Sequence, residues 1–118
     1  MLLHDAVAEY STWIEWEGEK WSEECLAEIQ NMRDLEARMD TLEAEKDKVF
    51  ATLDPKDPDA DIGGWFEYER LDGELRRCNI AYTHAEHAYS KIWEHDKEVL
   101  NVLIEHGEIS PLAGLTLN

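Results

Sequence analysis

The chain has 118 residues, with 28 Asp+Glu against 11 Lys+Arg, so its formal net charge is −17. That length holds one domain and leaves no room for a catalytic domain beside a regulatory one. A hydrophobic content of 43% with five Trp excludes simple disorder. The charge excludes direct binding to DNA, RNA or anionic lipid, because those ligands need Lys and Arg to neutralise phosphate.

The N-terminal stretch MLLHDAVAEY meets Asp5 and Glu9 too early for the apolar region of a signal peptide, and no run approaches the ~18 apolar residues of a membrane span. A cytoplasmic protein is expected, in a host cytoplasm if the chain is viral. The two cysteines, Cys25 and Cys78, form no CxxC pair, which points to reduced core thiols rather than a disulfide framework or a zinc knuckle.

Residues 5–53 read as one long helix rich in Glu, Leu, Ala, Lys and Arg. Val7, Ser11, Ile14, Gly18, Trp21, Cys25, Glu28, Met32, Leu35, Met39, Leu42, Lys46, Val49 and Leu53 follow one another at alternating steps of three and four, the spacing of supercoiled helices. Gly18 is the weak point, where the helix can kink or break and leave a short first helix at 5–17. Trp13 and Trp16 lie off the seam.

The segment 54–64 holds Pro55, Pro58, Gly63 and Gly64 and predicts an acidic loop. From Asp57 it begins like a calcium loop, but Ile62 and Tyr68 stand where that pattern needs Gly and Glu, so a polar turn is expected.

Residues 65–106 predict the second helix, with a seam of Tyr68, Leu71, Leu75, Cys78, Tyr82, Ala85, Tyr89, Ile92, Asp96, Val99, Leu103 and His106. Glu69-Arg70-Leu71-Asp72 resembles the Glu-x-x-Asp motif of MazG-like nucleotide pyrophosphohydrolases. The companion Glu-x-x-Glu is broken at Ala27, so the Mg²⁺ chemistry of that family is not expected. His84 and His87, with Asp34 opposite, fall short of the converging ligands zinc requires. The tail at 107–118 is apolar.

A short loop makes the two helices antiparallel neighbours, with partner numbers summing to about 118 for a turn centred near residue 59. Leu42 then faces Leu75–Cys78, Leu35 faces Tyr82, Cys25 faces Ile92–Trp93, Lys46 faces Leu71–Asp72, and Ile14 faces Leu103–Ile104. The fold class is all-α: a single domain, a long coiled-coil-like helical hairpin. Trp93, Leu100 and Ile104 form a second apolar stripe that needs cover, either from the tail or from a second copy. A homodimer forming a four-helix bundle is expected, because a lone hairpin buries little surface.

Charge is uneven. Residues 9–28 hold seven acids and one base, and residues 86–108 hold six acids and two bases, which together give −10. Spread over ~30 Å of bundle this is one charge per ~3 Å, against one per ~1.7 Å for duplex DNA. The expected function is non-enzymatic, with no cofactor and no metal. The chain would block a basic nucleic-acid-binding surface of a target protein, as small viral inhibitors of host defence nucleases do, by analogy of charge and shape. Glu9, Glu15, Glu17, Glu19, Glu23 and Glu24 are the expected contacts, with Trp13 and Trp16 as anchors. The other expectation is a structural coiled-coil adaptor that binds its partner by an apolar helix face.

Overall fold

The computed structural model describes residues 1–110, with only the backbone of Pro58, and the last eight positions of the expected tail lie outside the described residues. The chain runs α1 (Leu3–Tyr10), β1 (Ile14–Trp16), β2 (Glu19–Trp21), α2 (Glu23–Thr52), a 3₁₀ turn (Pro58–Asp61) and α3 (Ile62–Glu105). It is mostly helical, with two long helices packed on each other. No helix among the described residues is long and apolar enough to cross a membrane.

The expected helix 5–53 is broken early. α1 ends at Tyr10, where the Ser11 hydroxyl donates to the Ala8 carbonyl at 2.6 Å and the Thr12 hydroxyl to the Glu9 carbonyl at 2.7 Å. These local bonds compete with continued helix. A two-stranded antiparallel hairpin follows, pairing Ile14 with Trp21, Glu15 with Lys20 and Trp16 with Glu19. Its two-residue turn takes positive φ at both positions, +52° at Glu17 and +82° at Gly18. Such turns match the twist of the strands, and Gly meets the second position without a Cβ penalty. Gly18 therefore marks a reversal of the chain, not a kink in a helix. Ser22 then opens α2, its hydroxyl accepting the Cys25 N–H at 3.2 Å.

The contacts fall into two compact units. In the first, residues 1–30 with residues 86–110, α1 and Trp13 lie on the end of α3. Ala6, Trp13, Val99, Leu100 and Leu103 form the core, with Leu3, Tyr10, Trp93, Val102 and Ile109 packed around it. Leu100, expected on an open stripe, is only 2% exposed because α1 and Trp13 cover it. Ile14, expected to face Leu103–Ile104, is 44% exposed in β1, and Trp13 holds the place against Leu103.

In the second unit, residues 31–85, α2 and α3 run antiparallel around Leu42, Leu71 and Leu75, with Met39, Val49 and Cys78 at the edge. Lys46 donates to Asp72 at 2.7 Å, Arg38 to Glu74 at 2.8 Å, and the Tyr82 hydroxyl to Glu36 at 2.8 Å. The loop is shorter than expected and α3 starts at Ile62, because the Asp61 carboxylate accepts the Gly64 N–H at 2.9 Å and caps the helix. Gly64 is needed there: a Cβ would stand 2.6 Å from Asp61 Oδ2 and 2.7 Å from Leu53 Cδ2.

Candidate functional site

The first unit gathers the charge. Residues 1–30 and 86–110 hold fourteen acids and three bases, a net of −11, against fourteen acids and eight bases, a net of −6, in residues 31–85. One of the three bases, Lys20, is turned onto an aromatic face, its Nζ 5.0 Å from the centre of the Tyr10 ring. That contact keeps the cation on its own chain.

The hairpin spreads the acids that a helix would have wound around its axis. Strand alternation puts Ile14, Trp16, Glu19 and Trp21 on one face and Glu15 and Lys20 on the other. Trp16 and Trp21 stack edge to face across the strands, ring centres 6.3 Å apart. Glu15 and Glu17 are exposed, and Glu19 is half-buried beside Trp16. Glu23 and Glu24 are exposed in the first turn of α2, where the partial positive charge of the helix end favours them.

The two tryptophans of the expected contact set part company. Trp13 is 7% exposed and belongs to the core, with its ring centre 5.2 Å from that of Tyr10, so it is spent on holding α1 to α3. Trp16 stays half-exposed and lines an open apolar groove of about 320 Å³ with Ile14, Leu26, Ala27, Ile29, Gln30 and Glu23. Sequence reasoning missed Leu26, Ala27 and Ile29 as surface residues because they sit on helix positions off the seam.

Between α1, the start of α2 and α3 lies a polar cleft of about 270 Å³, lined by Glu9, Thr12, Trp13, Ser22, Glu23, Glu24, His95 and Asp96. His95 Nε2 is 2.7 Å from Glu9 Oε2, and this hydrogen bond raises the His95 pKa above its ordinary value. Asp96 is 4% exposed and accepts the Ser22 hydroxyl at 2.5 Å. Burial pushes its carboxyl above the usual range. Beneath the cleft, burial lifts the Cys25 thiol to about 11, and the Tyr89 hydroxyl is its hydrogen-bond partner. At that value the thiol stays protonated and unreactive.

Glu9 is thus bound to His95, whereas Glu15, Glu17, Glu19, Glu23 and Glu24 lie on the hairpin and the first turn of α2. Among the described residues no group of three or more His, Cys, Asp or Glu is placed to hold a metal ion. Comparison of the chain with protein-family models, curated proteins and solved structures finds no match.

Proposed function

We propose that the chain is a non-enzymatic acidic binding protein that occupies a basic nucleic-acid-binding surface of a target protein. The observation carrying this reading is the net −11 of the first unit, presented in part on a hairpin whose single base is folded back onto Tyr10. Charge of this density steers a basic partner from a distance and weakens with salt. Affinity at close range needs desolvated apolar contact, and Trp16 with Ile14 and Leu26 supplies it beside Glu19 and Glu23. Glu15, Glu17, Glu19, Glu23 and Glu24 are the proposed contacts, with Glu9 shaping the cleft through His95. The site of action follows the target, for which the cytoplasm is proposed.

Triple reversal of Glu15, Glu17 and Glu19 to Lys tests the reading. Loss of partner capture with unchanged far-UV circular dichroism supports it; undiminished capture by the folded variant rejects it.

The adaptor reading keeps one observation in its favour: α3 carries Ile62, Phe66 and Ile80 at 53%, 67% and 60% exposure, an apolar face turned away from α2. A dimer, expected through Trp93, Leu100 and Ile104, is better supported on that face, since Leu100 is used up inside the chain.

A further inference from the structure

Among the described residues, nothing covers the outward face of α3 in the second unit. Ile62 and Ile80 are eighteen residues apart, five turns of about 3.6 residues, and so share one direction. At ~100° per residue Ile62, Phe66, Glu69, Gly73, Arg77, Ile80 and His84 fall within an arc of about 80°. Leu71 and Leu75, which face α2, point the opposite way.

Several features of this face go unexplained by the monomer. Three large apolar side chains are more than half exposed on it. Gly73 sits inside a continuous helix, where Gly is about 1 kcal/mol worse than Ala. Nothing among the described residues requires it, because a Cβ there would meet only the flexible Arg77 Nη1, at 3.7 Å. Glu69 and Arg77 flank Gly73 on the same face and make no ion pair with each other or with another described residue. Residues 62–84 hold four acids and three bases, so this stretch is nearly neutral in a chain of net −17. It is where two copies would repel each other least.

The spacing about Gly73 is symmetric. Phe66 lies seven residues before it and Ile80 seven after; Glu69 lies four before and Arg77 four after. A two-fold axis through Gly73 in an antiparallel pair of α3 helices therefore sets Phe66 against Ile80, Glu69 against Arg77 and Ile62 against His84, each contact made twice. The two backbones come closest where the side chain is missing. Arg70 and Arg76, which also approach their counterparts, already hold acids of their own chain: Arg70 pairs with Glu67 and Glu74, and Arg76 with Asp72.

We propose that a second copy of this chain covers the outward face of α3, in an antiparallel, two-fold contact centred on Gly73. The contact sets two α2–α3 pairs side by side, and it is independent of the target surface proposed above.

The test is sedimentation equilibrium of the full chain over a wide concentration range. A monomer–dimer equilibrium is expected, and a single monomeric species up to the highest concentration would overturn the proposal. Phe66→Asp should abolish the dimer with helicity unchanged, since the side chain is exposed in the monomer; an unaffected dimer would overturn it. Glu69→Arg and Arg77→Glu should each weaken association about tenfold, because each sets like charges opposite one another twice. The double variant Glu69→Arg/Arg77→Glu should recover the wild-type constant. A double variant as weak as the singles would refute the register.

Discussion

Lys46 meets Asp72 with Nζ 2.7 Å from Oδ1, at the register in which partner numbers add to 118. The same lysine lies over the Tyr68 ring, 5.1 Å from its centre, and Arg76 holds the other carboxylate oxygen at 3.0 Å. The hydrogen bond from Lys46 keeps the Asp72 carboxyl below its ordinary range, and Arg76 acts in the same direction. Because Arg76 remains when Lys46 is removed, Lys46→Ala should lower the thermal midpoint less than Asp72→Ala, which strands two cations. Thermal melts of the two variants decide it, and the reverse order would show that Arg76 does not share the carboxylate.

Leu42 is fully buried between Leu71 and Leu75. Leu42→Ala should destabilise the chain by about 2–5 kcal/mol, since transfer and cavity terms add. Chemical denaturation measures it. A loss below about 1 kcal/mol would show that α2 and α3 repack freely at this level.

The hairpin turn gives predictions of opposite sign. Gly18→Ala forces a Cβ onto φ +82° and should cost about 1 kcal/mol or more. Glu17→Asn places a residue suited to positive φ beside Gly18 and should stabilise the turn by a few tenths of a kcal/mol, at the loss of one proposed contact charge. Thermal melts and partner capture, read side by side, separate the two effects.

Asp96 and His95, both in the first unit, have folded pKa values above their ordinary ones. Asp96 is raised chiefly by burial, so its contribution is present below the ordinary carboxylate value and is lost as pH rises through the raised value. His95 is raised chiefly by its bond to Glu9, so its contribution is present below the ordinary histidine value and is lost as pH rises through the raised one. Asp96→Asn keeps an acceptor for the Ser22 hydroxyl without the buried charge. It should raise the thermal midpoint at neutral pH and converge on wild type in acid. His95→Gln should flatten the fall of the midpoint through the histidine range. Melts across pH check both, and parallel curves for variant and wild type would contradict them.

The seam was legible because it obeys one physical rule over many turns. From Cys25 to Leu53 and from Tyr68 to Leu103 every seam residue is buried or half-buried, including Glu28, Lys46 and Asp96. Two of the polar members have partners across the pairing, Asp72 for Lys46 and Ser22 for Asp96. Before Cys25 the three-four spacing runs on by coincidence across a different structure. Val7 and Ile14 lie on that extrapolated seam, yet they are 43% and 44% exposed. The signal for the hairpin was present in Ile14-Glu15-Trp16-Glu17-Gly18-Glu19-Lys20-Trp21, an alternation of large apolar and charged residues around an X-Gly pair. Helix propensity of the Glu residues masked it. The fate of Trp13 and Trp16 could not be read at all, because it depends on which of two residues three apart turns toward α3 once α1 has ended.

Immobilised chain loaded with a cell lysate and eluted with duplex oligonucleotide at constant ionic strength tests the acidic-surface reading most directly. If the first unit takes the place of nucleic acid, the duplex releases the retained proteins, and 1 M salt, with a Debye length of ~3 Å, releases the same set. Retained proteins that ignore the duplex and survive the salt would contradict it and leave the apolar adaptor reading in its place.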